Sequence, residues 1–220
     1  MARTKDSVRA VDLYDADERQ PSQIEEPQVE LSNVRRTPVD IHYQPREEYP
    51  HPTQDIVRGE FDYCHEGILG SSSAEGEFQF RTDSRMFIVR MRSGSARLDD
   101  VVNALDSQLD QILDQPIGVH RELTNQTGAI WTLLDDAEWI GSVTIRHRGE
   151  RKPLGELEDS QNLAFGEIIG EYSVVEADFI LETPWGEPVN VIYEEGKFEI
   201  ATTDDDIYEY VLQALEVARA

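Results

Sequence analysis

Four stretches carry side chains able to do chemistry, and each is weighed by whether its spacing lets those groups meet. In FDYCHEG, Asp62, Cys64, His65 and Glu66 stand together, and a thiol beside an imidazole is the raw material of a nucleophile with its base or of a metal site. Neighbouring residues of a strand point to opposite faces, however, so Cys64 and His65 do not readily share a proton or an ion. Companion ligands would have to come from His42 or His51, and a structural role is the expectation. GILGSSSAEG has the glycines and hydroxyls of an anion cradle, but no Gly-Lys-Ser/Thr follows, Gly76 leads into a strand, and the pattern is not a G-x-S-x-G elbow. It reads as a flexible hairpin or linker. Asp204, Asp205 and Asp206 offer carboxylates to a hard cation, yet these are also the residues a helix N-terminus prefers, and capping is expected. Glu167, Glu171, Glu176 and Asp178 lack the paired spacing of an acid and a base and read as a solvated face. The expected catalytic, cofactor-binding and metal residues are therefore none, with no cofactor, and the chain reads as no enzyme.

The basic residues are not spread evenly. Arg81, Arg85, Arg90, Arg92 and Arg97 precede one helical segment, Arg146, Arg148, Arg151 and Lys152 form a second group, and from Gly155 onward only Lys197 and Arg219 are basic. Such groups can make a cationic face for nucleic acid or for an acidic protein, or they can pair with acids on neighbouring strands. The residues expected to form an interaction surface are Arg81, Arg85, Arg90, Arg92, Arg146, Arg148, Arg151, Lys152 and Trp185. Trp131 and Trp139 are expected in packing, while Trp185, in a turn, becomes an interface anchor if it is exposed. Nucleic acid is the less favoured partner, because high salt weakens phosphate binding steeply.

Salt enters through the composition. With 45 acidic against 20 basic residues the net charge is -25, lysine stands only at 5, 152 and 197, and only 39% of residues are hydrophobic. Self-repulsion of that size destabilises a compact domain in dilute buffer, whereas at about 1 M salt the Debye length is roughly 3 Å and the repulsion fades. Abundant Asp and Glu with scarce Lys resembles the proteins of organisms that keep molar salt in the cytoplasm, such as haloarchaea. The acidic surface is then an adaptation to solvent. The single cysteine excludes an internal disulfide framework, and no apolar run is long enough to span a bilayer or to form a signal-peptide core. No membrane partner is expected; the expected setting is such a cytoplasm or a larger particle such as a virion.

The elements that would position these groups are an N-terminal arm and one domain. Residues 1–56, rich in proline, read as an extended arm that is partly disordered or ordered by a partner, with QVELSNV and VDIHY as short strands. Residues 57–220 read as a single α+β domain. EFQFR and RMFIVRMR predict a hairpin about Thr82-Asp83-Ser84. Leu98, Val101, Val102, Leu105, Leu109, Ile112 and Leu113 predict an amphipathic helix over 97–114. IGVHREL, GAIWTLL and EWIGSVTIRH predict a three-stranded meander, RHRGERKPLG a charged turn, and 156–169 a weak helix. EYSVVEADFILE, PVNVIYE and KFEIATT predict a second meander. A final helix is predicted over 204–218, capped by Thr203 and burying Ile207, Val211, Leu215 and Ala218.

In element order alone, residues 85–220 resemble the helix-grip fold, which implies an apolar ligand between sheet and last helix. They also resemble secretion-chaperone and tail-completion subunits, which implies binding of proteins; neither resemblance assigns a site residue. The leading expectation is a non-enzymatic protein–protein interaction or assembly subunit, which binds a partner or itself. A small apolar ligand-binding protein and a nucleic-acid-associated protein are the alternatives. If the carboxylates are matched to brine, the melting temperature in about 3 M KCl exceeds that in about 0.1 M by at least about 10 °C, read by circular dichroism. A flat or falling dependence contradicts the halophilic reading.

Overall fold

The first amphipathic helix, α1 (Leu98–Leu113), has its apolar stripe pressed onto one face of an antiparallel sheet. Asp99 and Asp100 lie in its first turn, where carboxylates favour the positive end of the helix dipole. Val101, Val102, Ala104, Leu105 and Leu109 are buried against Val57, Phe61, Tyr63, Phe78, Phe80, Phe87 and Val89. Each large apolar side chain so covered contributes about 1.5–3 kcal/mol. The computed structural model describes residues 4–13, 28–39, 49–67, 70–113, 117–119, 127–156 and 170–220.

Among these residues the chain divides into two compact units, residues 6–39 with 53–123, and residues 1–5 and 40–52 with 124–220. The fold is α+β, and the strand pairings described within each unit are antiparallel. The expected boundary at 56–57 falls inside the strand Asp55–Gly67.

In the first unit β2 (Gln28–Pro38), β3 (Asp55–Gly67), β4 (Gly70–Arg81) and β5 (Met86–Gly94) lie side by side in that order. β1 (Thr4–Leu13) adds on β5, and the short β6 (Ile117–Val119) adds on β1. QVELSNV is thus a strand, as expected, but it is paired to β3 from Gln28↔Cys64 to Pro38↔Asp55, and Val29 and Leu31 pack onto the α1 core. That part of the expected arm belongs to a folded unit. VDIHY lies outside the described residues beyond Val39. GILGSSSAEG was expected to loop; instead its residues from Gly70 onward are β4, which runs unbroken opposite β3 from Gly67↔Gly70 to Ile56↔Arg81. At Gly76 a small residue suits this strand because its neighbours crowd in. A Cβ built at Gly76 stands 2.2 Å from the Arg90 carbonyl and 2.7 Å from the Phe61 ring.

The second unit holds β7 (Trp139–His147), β8 (Glu150–Pro153), β9 (Ser173–Glu182), β10 (Pro188–Glu194) and β11 (Lys197–Ile200), in the order β11-β10-β9-β7-β8. The meander expected from EYSVVEADFILE onward is present, and RHRGERKPLG is the β7–β8 hairpin turning at Arg148-Gly149. GAIWTLL is not a strand: it lies in a helix, α2 (Thr127–Asp135), so the first expected meander is replaced by β6, α2 and β7. A short run that is apolar nearly all round has no period to distinguish strand from helix, and α2 is covered on two sides, by β9 and by the last helix. The weak helix expected over 156–169 lies almost wholly outside the described residues.

The last helix, α3 (Asp205–Arg219), is capped by Asp204 and not by Thr203. The Asp204 carboxylate accepts from the backbone N–H of Asp206 at 2.9 Å and of Ile207 at 3.4 Å. Val211, Leu212 and Leu215 are buried, as are Val175, Ala177, Phe179 and Leu181 of β9. No described helix is long and apolar enough to cross a membrane. In urea unfolding, Leu105→Ala lowers stability by about 2–5 kcal/mol and Gly76→Ala by at least about 2 kcal/mol, the latter because a backbone carbonyl cannot yield as a side chain can. A near-neutral Gly76→Ala contradicts the β4–β5 register.

Candidate interaction surface

The residues expected on the surface fall in different places. Arg81 is 0% exposed, in a row with Ile56 and Met86 across β3, β4 and β5, and so is corrected from surface to interior. Arg85 and Arg148 are exposed at hairpin tips, with φ of 52° and 53°. Arg90, Arg92, Arg146 and Arg151 stand on outward strand positions, Lys152 stands on the opposite face of β8 across from buried Ile145, and each meets a carboxylate. Arg92 pairs with Glu60 at 3.1 Å and with Glu77, and Arg90 lies 3.8 Å from Glu77. Arg151 bridges Glu176 and Glu195, each at 2.8 Å, Arg146 reaches Glu195 at 3.2 Å, and Lys152 lies 3.9 Å from Glu150. Exposed pairs of this kind stabilise little, about 0–1 kcal/mol, but they cancel the cationic field that a phosphate backbone would need.

The Glu60 carboxyl is held below the usual carboxylate range by the hydrogen bond from Asn33 and then by Arg92, which in turn is raised by its two acids. Asn33 reaches Glu60 because the chain adopts φ 52° there, at the irregularity in the β2–β3 register. On the other face, burial and then the Asp100 carboxylate push the Tyr63 phenol above its ordinary value.

Trp139 and Trp185 are 53% and 50% exposed, while Trp131 is buried and donates from Nε1 to the Tyr172 carbonyl at 2.7 Å. Trp139 was expected in packing, and a bulge explains the reversal. Trp139↔Ile180 and Ile140↔Phe179 are paired, then the register shifts past Gly141 to Ser142↔Asp178 and Val143↔Ala177. Without the extra residue Trp139 would share the inner face with Val143 and Ile145; with it, the indole stands on the outer face. Its ring lies over Gly141, where a Cβ would stand 2.4 Å from the indole edge. A glycine inside WIGSVTIRH was the sequence signal for this bulge.

Trp185 occupies the turn between β9 and β10. Thr183 closes that turn: its N–H donates to Glu187 O at 3.0 Å, its carbonyl accepts from Gly186 N–H at 2.9 Å, and its Oγ1 accepts from Glu187 N–H at 3.1 Å. The indole meets Tyr210 of α3 edge to face at 6.1 Å, and the Tyr210 hydroxyl donates to the Glu182 carbonyl at 3.2 Å. Exposed Trp185 is thus fixed in place, as an interface anchor requires.

Both indoles lie at the same end of the sheet, since Trp139 is opposite Ile180 and Trp185 follows Glu182. The loop from α2 brings exposed Asp135, Asp136 and Glu138 to that end, and Glu182 and Glu187 flank the turn. The N-terminus of α3 lies there too, because Ala201 N–H donates to Asn190 O and Tyr210 touches Glu182. Among described residues 127–220 the arginines and lysines lie elsewhere: Arg146, Arg148, Arg151 and Lys152 on and about the β7–β8 hairpin, Lys197 after the opposite turn, and Arg219 in the last turn of α3; Lys5 of the same unit stands in β1.

Inside the unit, Glu209, Gln213 and Glu216 form a buried polar stripe on α3 that the apolar reading of this helix missed. Tyr49 donates to the Glu216 carboxylate, and Gln213 Nε2 donates to Glu209 Oε1 at 2.9 Å. Burial pushes the Arg219 guanidinium down, opposed by Glu216. Cys64 is exposed opposite Ser73, whereas His65 stands at the next register position opposite Ser72 and faces the other way. Among the described residues no three His, Cys, Asp or Glu side chains gather as a metal site. Comparison with known protein families finds no match, and comparison with curated proteins finds none either.

The fold favours the charged form of Glu60, so its stabilisation is present above the unfolded carboxyl pKa and is lost as pH falls through the lowered folded value. Carboxyl NMR titration is expected to show Glu60 titrating below a free glutamate, and Asn33→Ala to raise it. An unshifted Glu60 in the wild-type chain contradicts the hydrogen-bonded geometry.

Proposed function

We propose that the chain is a non-enzymatic protein–protein interaction or assembly subunit with a surface suited to high salt. The observation that carries this reading is the pair of half-exposed tryptophans, each fixed by the fold, one over Gly141 by a strand bulge and one against Tyr210 by a capped turn. Large aromatic surface left in water is costly, and rigid tryptophans are the side chains that dominate protein interfaces. Support against nucleic acid as the partner comes from the arginines, of which Arg90, Arg92, Arg146 and Arg151 are engaged by the protein's own glutamates. The opposed placement of Cys64 and His65 favours no nucleophile or ligand pair. The composition favours the cytoplasm of a salt-accumulating organism, or a larger particle such as a virion, as the setting.

Recovered from its source cells at native ionic strength, the chain is expected to sediment in a complex of discrete size well above its own 25.1 kDa, and replacing Trp139 and Trp185 together by serine is expected to release it as a folded monomer. A wild-type chain that sediments as a monomer throughout, from extract to purified protein, overturns the proposal.

A further inference from the structure

At the tryptophan-bearing end of the second unit, described residues 127–220 place carboxylates and no arginine or lysine, and resting on the reading above we infer that its occupant is an arginine- or lysine-bearing segment of a partner protein, bound with its cations over the faces of Trp139 and Trp185. Three structural elements converge there: the α2–β7 loop with Asp135 and Glu138, the β9–β10 turn with Glu182 and Glu187, and the start of α3. All four of those carboxylates are exposed. Among described residues 127–220 the arginines and lysines lie on or beyond the β7–β8 hairpin and at the far ends of β11 and α3. Mixed charge would suit a general surface. Charge of one sign about two fixed indoles selects a cation, because a guanidinium or ammonium within about 6 Å of an indole face gains about 0.5–2 kcal/mol and gains more beside carboxylates.

This geometry also survives salt. At molar ionic strength the acids attract nothing beyond roughly 3 Å, so steering is lost, but a cation in contact with an indole is within that distance and partly desolvated. A second copy of this chain is the weaker occupant, since Arg146, Arg151 and Lys152 at its own basic end are already engaged with Glu195, Glu176 and Glu150, which leaves the single exposed tip residue Arg148 as the cation it would offer from that end. Nucleic acid is repelled from an end of this sign.

The test uses the full chain in molar KCl and a fluorescein-labelled nonapeptide alternating arginine and glycine, with a citrulline peptide of the same shape lacking the charge. Anisotropy is expected to show the arginine peptide bound at least about tenfold more tightly than the citrulline peptide, about 1.4 kcal/mol. Trp139→Ala and Trp185→Ala are each expected to weaken it about tenfold with the circular dichroism spectrum unchanged. Gly141→Ala, which keeps the tryptophan but displaces its ring, is expected to weaken it as well; if that variant fails to fold, the two tryptophan variants decide. Equal affinity for the two peptides, or an arginine-peptide affinity indifferent to both tryptophans, overturns the inference. So does self-association that only the tryptophan variants abolish, which names a second copy as occupant. In either of these cases the proposed assembly role stands if Trp139 and Trp185 still hold the native complex together, and it falls separately if no complex exists.

Discussion

A strand has two faces, and in each unit the structure depends on one of them being covered by helix. In the first unit the covering element is α1, whose Leu105 and Leu109 meet Phe61, Phe78 and Phe87. In the second, α2 lies against β9 and α3, and Phe179, Val191 and Phe198 are sealed from water. Once one face is buried, strict alternation assigns every second residue to the other, which is why Glu60, Glu77, Arg90 and Arg92 on one sheet, and Glu176, Arg146 and Arg151 on the other, come to stand beside one another. The cross-strand ion pairs follow from the packing of the opposite face.

This coupling limits what the acidic surface can mean. Carboxylates set at outward positions of paired strands are spaced by the sheet, and where an arginine stands opposite, the pair is neutral. At the end of the second unit bearing Trp139 and Trp185, Asp135, Glu138, Glu182 and Glu187 are all exposed to solvent. The alternation thus produces a balanced sheet face, while the loops at the far end carry exposed acids, and the tryptophans stand beside those. A bulge is the device that places one of them. By adding a residue at Gly141 it turns the start of β7 over, exchanging an inward indole for an outward one at the cost of a single ladder position.

The interior has its own polar seam. Glu209, Gln213 and Glu216 are one helical stripe apart, and Tyr49, from a chain segment distant in sequence, closes on Glu216. Two buried carboxylates on one helix are stable only if each is bonded, and the fold supplies Tyr49 and Gln213 as donors. The seam ties residues near 49 to the C-terminal helix.

From the sequence alone came α1 nearly to its ends, the β4–β5 hairpin, β7, the meander of β9 to β11 and the existence of α3. Each has a period or turn signal that its own residues complete: Val175, Ala177, Phe179 and Leu181 alternate, and Val101, Leu105 and Leu109 recur at helical spacing. What only the tertiary structure decided is wherever a neighbour, and not the residue itself, sets the answer. GAIWTLL is helical because β9 and α3 cover it from two sides, GSSSAEG is extended because β3 offers a full ladder, and Arg81 is buried in one row with Ile56 and Met86, which no period within β4 reveals. Trp139 is exposed because of one unpaired glycine two positions away. Local periodicity reports a single segment's preference against water, whereas register, bulges and burial are set by which surface arrives opposite, and that information is distributed over the chain.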